Sequence, residues 1–169
     1  MTPQPETTPA RAAALPRVAL AWLAVVLALT GAVLLLGLSD HPWLLASLGG
    51  SCVILFGMPD SEMAQPRSLI GGHVIATLAG LVFLRLGFLP LGGSRDAWMI
   101  AGVATALVLM MATRTIHSPA GANPIDIFHE QAGWTFLVTP LLLGLAVLLV
   151  VALAANNGAL SQRYRQRWL

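Results

Sequence analysis

Residues 18–38 read VALAWLAVVLALTGAVLLLGL, a run with no charged residue and a single hydroxyl, that of Thr30. As a helix rising 1.5 Å per residue it spans about 30 Å, the thickness of a bilayer's hydrocarbon core. It has no polar stripe of the kind a soluble amphipathic helix needs, so its natural solvent is lipid. It is too long for the apolar core of a cleaved leader, and no small-x-small site follows, so an uncleaved span is expected. Three further apolar runs, Leu69 to Phe88, Ala97 to Ala112 and Trp134 to Ala155, repeat the pattern. With 57% apolar and 9% charged residues, the chain lacks the polar surface to coat a water-soluble globule of its size. The expectation is an all-α membrane protein with four transmembrane helices.

All nine basic residues are arginine, and they gather toward the chain ends rather than in a nucleic-acid-binding stripe. Arg11 and Arg17 precede the first span; Arg163, Arg165 and Arg167 follow the last. By the positive-inside rule both termini are cytoplasmic in a multi-pass protein of the cell's inner membrane. Four spans then put Arg85 and Arg95 inside with the tails and leave Arg67 and Arg114 outside, whereas a fifth span would carry the arginine-rich C-terminal tail outside. Residues 1–16, rich in proline and threonine, read as a disordered cytoplasmic tail, 17–155 as the membrane domain, and 156–169 as a basic cytoplasmic tail with interfacial Tyr164 and Trp168. The single cysteine, Cys52, excludes an internal disulfide and reads as a small apolar packer.

Two shorter elements separate the spans. Trp43 to Met58 covers only about 24 Å as a helix and carries Gly49 and Gly50 near its middle, which invites a re-entrant or broken element. Thr113 to Gly133 is the most polar interior stretch, yet Ile125, Ile127 and Phe128 make it too apolar for a simple loop. The chain thus reads as two copies of one unit: span, short broken element, span. Residues 48–56 then fall on 120–128 without gaps, aligning Ser51 with Asn123. Both are favoured N-cap residues, and Pro124 follows where a helix start tolerates proline. With two full spans per unit the copies are expected to be parallel, both short helices entering from outside with their N–H groups facing a common cavity. That arrangement suits a small anion. Gly49, Gly50 and Ser51 in one unit and Gly121, Ala122 and Asn123 in the other supply backbone donors; His73 and His117 line the approach, and Arg67 and Arg114 attract anions to it. Asp126, in the first turn of the second short helix, repels an anion. It is left open between pairing with Arg114 or His117 and serving proton or ion coupling. Along the second span, Gly72, Ala76 and Gly80 form a small-xxx-small face for close helix approach, and Arg85 is placed to snorkel to the interface.

The histidines, His41, His73, His117 and His129, do not form a metal motif, because no two lie three or four residues apart on one helix and no His-Glu-x-x-His occurs. Only His73 lies within a full span, which disfavours haem held between helices. No Gly-x-Ser-x-Gly elbow or phosphate loop is present. Neither catalysis nor a cofactor or metal is expected.

The stretches Ala64-Gln65-Pro66-Arg67-Ser68-Leu69-Ile70-Gly71-Gly72-His73 and His117-Ser118-Pro119-Ala120-Gly121-Ala122-Asn123-Pro124 together resemble the HPP family of integral membrane proteins, and Trp134-Thr135-Phe136-Leu137 with Pro140 and Gly144 fits as well. The chain departs from the name-giving His-Pro-Pro at Ser118. The resemblance covers about Trp22 to Ala155 and implies a four-helix membrane protein; members from plastids and cyanobacteria are linked to nitrite transport. The functional expectation is a transporter or channel for a small inorganic anion, nitrite being the candidate that the resemblance supplies. Its partners are the lipid bilayer, the anion and further copies of itself, since four spans give little room for a pore. A non-transporting membrane scaffold or sensor subunit and a membrane haem or redox protein are the alternatives.

Overall fold

The structure, a computed structural model, describes residues 15–36 and 41–159, and every regular element among them is helical. Helices α1 (Leu15–Leu36), α3 (Pro66–Leu91), α4 (Arg95–Thr113) and α6 (Trp134–Gly158), the last opening as a 3-10 turn and kinked at Thr139, supply four segments long and apolar enough to cross a bilayer. Between them lie α2 (Pro42–Gly57) and α5 (Asn123–Glu130), the latter preceded by a 3-10 turn over Ser118–Ala122. The expected disordered N-terminal tail lies almost wholly outside the described residues, as does the arginine-bearing part of the C-terminal tail; Asn156 to Gly158 still belong to α6. Local chemistry sets several boundaries. Pro66 and Pro42 open their helices, where a missing N–H costs nothing. The Ser94 side chain accepts the Ala97 N–H at the start of α4, and Arg114 ends that helix in the left-handed conformation at φ 56°.

The short elements are not re-entrant. Hydrogen bonds from His41 to Ser51 tie α2 antiparallel to the 115–130 segment. His41, just before α2, bonds Glu130 at the last turn of α5. Ser47 reaches Pro119 and Asn123, one turn later Ser51 reaches His117, and His117 reaches the Met63 carbonyl beyond the end of α2. The long helices mark the two ends of the bundle. At the end formed by the α3–α4 turn, Arg85 donates to the carbonyls of Gln131 and Ala132, and Arg95 to that of Phe128. At the opposite end Arg67 donates to Thr113, and Asn156 near the end of α6 donates to Leu55 in the last turns of α2. Each short element therefore leaves one end of the bundle and arrives at the other. The three non-helical residues Thr115–His117, the 3-10 turn and α5 together reach about 30 Å, enough to cross the hydrocarbon layer.

This parity corrects two expectations. The expected unit has two crossings, but the observed units, α1–α2–α3 and α4–α5–α6, have three each, so the copies run in opposite directions rather than parallel. The packing has the matching symmetry: α1 lies on α6 as α3 lies on α4, α1 on α2 as α4 on α5, and α3 on α5 as α2 on α6. The third helix of each unit holds the short helix of the other. The second correction concerns the arginines. Arg67 and Arg114 sit at the terminal end, where α1 begins and α6 finishes, together with Arg17; Arg85 and Arg95 occupy the turn end. Arg85 does not simply snorkel, because it and Arg95 cap the C-terminal carbonyls of α5, where positive charge is favourable.

Glycines on α3 make the second crossing possible. A Cβ on Gly72 would lie 2.7 Å from the His117 Cβ and 2.9 Å from the Thr115 carbonyl; one on Gly80 would lie 2.8 Å from the Pro124 Cα. The small-residue stripe thus receives the 115–130 segment, with Gly102 of α4 on the other side of Pro124. By contrast Gly49, read from sequence as half of a break, lies inside a continuous α2 with nothing within 4 Å of its would-be Cβ. Leu44, Leu48 and Leu55 of α2 and Leu141, Leu145 and Leu148 of α6 fill the core, while Trp22, Leu34, Leu86, Ile100, Val108 and Val150 are exposed and face lipid.

Gly72→Ala and Gly80→Ala are expected to lower the thermal midpoint of the detergent-purified protein sharply, because backbone atoms occupy the space. Gly49→Ala should leave it unchanged or raise it, by up to about 1 kcal/mol of helix propensity. Thermal unfolding followed by size-exclusion chromatography reads both.

Candidate functional site

Where α2 crosses the 115–130 segment, beside the middle of α3, a knot of polar side chains is buried. Ser51, His73, Thr77, His117 and Asn123 are fully buried and Ser47 nearly so. Three different elements contribute: Ser47 and Ser51 one turn apart on α2, His73 and Thr77 one turn apart on α3, and His117 and Asn123 at the two ends of the 3-10 turn.

One carbonyl sets the polarity of the network. His117 Nδ1 lies 2.8 Å from the Met63 carbonyl, which can only accept, so Nδ1 carries the proton. With the ring neutral, Nε2 is then an acceptor, and the single Ser51 hydroxyl proton goes to it at 2.8 Å rather than to the Ser47 carbonyl at 3.1 Å, because Nε2 has no other donor. Ser51 Oγ in turn accepts from His73 Nε2 at 3.0 Å, which leaves His73 Nδ1 to accept from the Asn123 side-chain Nδ2 at 3.0 Å. That orients the amide: its nitrogen also donates to Thr77 Oγ1 at 2.8 Å, and its oxygen accepts from Ser47 Oγ at 2.9 Å. The chain runs head to tail from Ser47 through Asn123, His73, Ser51 and His117 to Met63. The two imidazoles stand 5.1 Å apart between ring centres. Buried polar groups in an apolar layer persist only with their partners in place, so this network binds α2, α3 and the second crossing to one another.

The sequence-predicted residues divide into three groups. Ser51, His73, His117 and Asn123 come together, but not as helix starts: Ser51 lies inside α2, and Asn123 follows directly on the 3-10 turn and turns its amide to α3 instead of capping. The pair of free helix N-termini expected to hold an anion is therefore absent among the described residues. Gly50 packs under Pro119, with its would-be Cβ 3.2 Å from the proline Cβ, whereas Gly49 and Gly121 face open space and Ala122 lines a concavity. Arg67 and Arg114 lie at the terminal end of the bundle, away from the network. Asp126 pairs with neither Arg114 nor His117: it is 1% exposed, and both carboxylate oxygens lack a hydrogen-bond partner. Ser47, Thr77 and the Met63 carbonyl were missed; the i±4 spacing of Ser47 from Ser51 and of Thr77 from His73 is the signal that finds the first two.

Beside the network, at the crossing of α2 and the 3-10 turn, lies an open concavity of about 360 Å³ that presents two hydroxyls, of Ser47 and Ser118, among Ala46, Gly50, Ile54, Pro119 and Ala122. Ser47 is thus shared by the network and the concavity. No grouping of three or more metal-binding side chains occurs among the described residues.

Ser51→Ala removes the hydroxyl that joins the two imidazoles, leaving a buried donor and a buried acceptor without partners at about 1–3 kcal/mol each. The variant should show a markedly lower thermal midpoint than Thr30→Val on the lipid-facing side of α1; equal midpoints would mean that the network adds nothing to stability.

Comparison with known proteins agrees with a multi-pass membrane chain. The profile of the HPP transmembrane region matches residues 10–165. Two transmembrane proteins of Dictyostelium discoideum are 32% and 31% identical over 129 and 130 residues, covering 74% and 75% of this chain. The chain spans less than half of each, 45% and 42% of their lengths. No solved structure matches. With a family profile covering nearly its whole length, this chain belongs to the HPP transmembrane family.

Proposed function

We propose that the protein is a membrane transporter for a small inorganic anion, with nitrite the first substrate to test. The observation that carries this reading is the crossing of two short, oppositely directed segments midway through an inverted pair of helical units, with buried polar side chains at the crossing and a concavity beside them. Polar groups deep in a membrane bundle are costly and are retained at solute paths. Many secondary transporters build a site near the midplane at the interface of inverted units, where helix is interrupted, as it is here in the 115–130 segment though not in α2. The Ser47 hydroxyl, on the border between concavity and network, is the network member a solute in the concavity would meet, behind the exposed Ser118 that also lines it. His73, His117 and Asn123 bear on the solute through it, because a bond gained or lost at Ser47 passes along the chain.

The competing reading is a non-transporting membrane scaffold. It draws on the same network, whose members are bonded to one another. Flux separates the two. Purified protein in liposomes is expected to take up nitrite above the rate of protein-free vesicles, and Ser47→Ala should lower uptake per folded protein several-fold, while Ser51→Ala, which also removes one hydroxyl from the network but does not border the concavity, should lower it less. No uptake of nitrite, nitrate or a similar anion would leave the scaffold standing.

For orientation we infer that the terminal end is cytoplasmic. Arg17, Arg67 and Arg114 lie there, and the tails that continue from it carry Arg11, Arg163, Arg165 and Arg167, against Arg85 and Arg95 at the turn end. In intact bacterial cells a membrane-impermeant maleimide should label Leu91→Cys at the turn end, and label Asp60→Cys at the terminal end only after permeabilisation. The opposite pattern would reverse the assignment.

A further inference from the structure

The network above leaves out one buried group. Asp126 lies one turn beyond Asn123 on α5, and Glu130 one turn further, so the three share a face of that helix. Asp126 is 1% exposed, and neither of its oxygens has a hydrogen-bond partner; Glu130 Oε1 is also buried without one. The other Glu130 oxygen, Oε2, meets His41 Nδ1 at 2.5 Å, and the His41 side chain is 31% exposed at the turn end of the bundle. Three buried carboxylate oxygens thus lie between the polar network and the water at that end, and no donor reaches them.

The charges around α5 do not supply a counter-ion. On α3, Arg85 donates to the Gln131 and Ala132 carbonyls, and His73 is held by Asn123 and Ser51. On α4, Arg95 donates to the Phe128 carbonyl, and Asp96 is exposed and acidic. On the α2 side only His41 faces this region, engaged with Glu130. On α5 itself His129 is exposed, and α6 has no ionisable side chain between Trp134 and Gly158. A bare carboxylate held in such a place is among the most expensive groups a protein can bury. A proton is the one cation that two carboxyl groups can take up without further ligands.

We propose that Asp126 binds and releases a proton in the working cycle, exchanging it with the turn end through Glu130 and His41. The proposal deepens the transport reading and rests on it for the word "cycle". The step is a simple protonation. A proton from the solution at the turn end passes by way of the His41 ring and a Glu130 oxygen to one Asp126 oxygen, forming an O–H bond and neutralising the carboxylate, and it leaves by the reverse steps. Only one helical turn separates Asp126 from Asn123, so the charge on Asp126 is felt by the amide that orients the whole network. An anion near Ser47 and a proton on Asp126 therefore favour each other. That is the energetic requirement for moving the two together.

Two measurements on the full-length protein test this. The first is infrared spectroscopy in lipid nanodiscs across a pH titration. Wild type should show the carbonyl stretch of a buried protonated carboxylic acid, fading as pH rises; Asp126→Asn should lack it and Glu130→Gln should keep it. Absence of the band in wild type, or its persistence in Asp126→Asn, would overturn the assignment whatever the transport result. The second is nitrite accumulation in liposomes under an imposed pH gradient, measured against protein-free vesicles. Wild type should accumulate nitrite about tenfold for each pH unit imposed, and Asp126→Asn should only equilibrate it. Accumulation by Asp126→Asn, or equilibration alone by wild type, would overturn coupling through this residue. No nitrite movement by wild type would instead remove the transport reading, leaving the infrared result to decide whether Asp126 takes up a proton.

Discussion

A backbone that leaves regular helix inside hydrocarbon has to find its hydrogen-bond partners within the protein, and the path from Thr115 to Glu130 is governed by that requirement. It enters through three non-helical residues, tightens into a 3-10 turn and only then becomes α-helix. Everything beside it is arranged to make this passable. Gly72 and Gly80 give it room, Pro124 wedges between α3 and α4, His73 and Thr77 take up its asparagine, and Arg85 and Arg95 close its carbonyls. The stripe of small residues on α3 is thus a groove for a segment of the same chain, made to its shape.

The Met63 carbonyl shows how far one acceptor can reach. A carbonyl that cannot donate fixes one imidazole tautomer, the tautomer fixes a serine, the serine fixes the second imidazole, and that ring fixes an amide. Five side chains on three elements share one orientation for that reason. The line ends at Ser47, whose single hydroxyl proton has two acceptors at 2.9 Å, the Asn123 side-chain oxygen and the Pro119 carbonyl, so a change in partner there reaches the amide and the rings beyond it.

The four long spans were legible in the sequence because an uninterrupted apolar run of bilayer length has few other uses. The grouping of Ser51, His73, His117 and Asn123 was legible too, as polar residues at middle depth, although the reason given for it, a pair of helix starts, was not the one the fold uses. What the sequence concealed was parity. Gly49-Gly50 looks like a break by its helix propensity, but in lipid an unmade backbone bond costs more than two glycines lose, so α2 runs straight through. Counting that helix and its counterpart as crossings inverts the second unit and exchanges the ends assigned to Arg67 with Arg114 and Arg85 with Arg95. Asp126 was suspected from its type; its lack of any partner depends on which side chains the crossing brings near, and spacing along the chain carries no record of that.

The two short segments occupy equivalent places in the inverted pair, yet they differ in what they can endure before the protein is complete. Residues 42–57 carry no charge, so they can rest in lipid while the helix that will hold them, α6, is still to be made. Residues 115–130 carry two acids and two histidines and cannot wait in that way. Their groove is built from α3 and α4, both of which leave the ribosome first. Synthesis from the N-terminus therefore delivers the receptacle before the part that lipid would reject, and a chain with its two units in the other order would present that part to the translocon with nowhere to go.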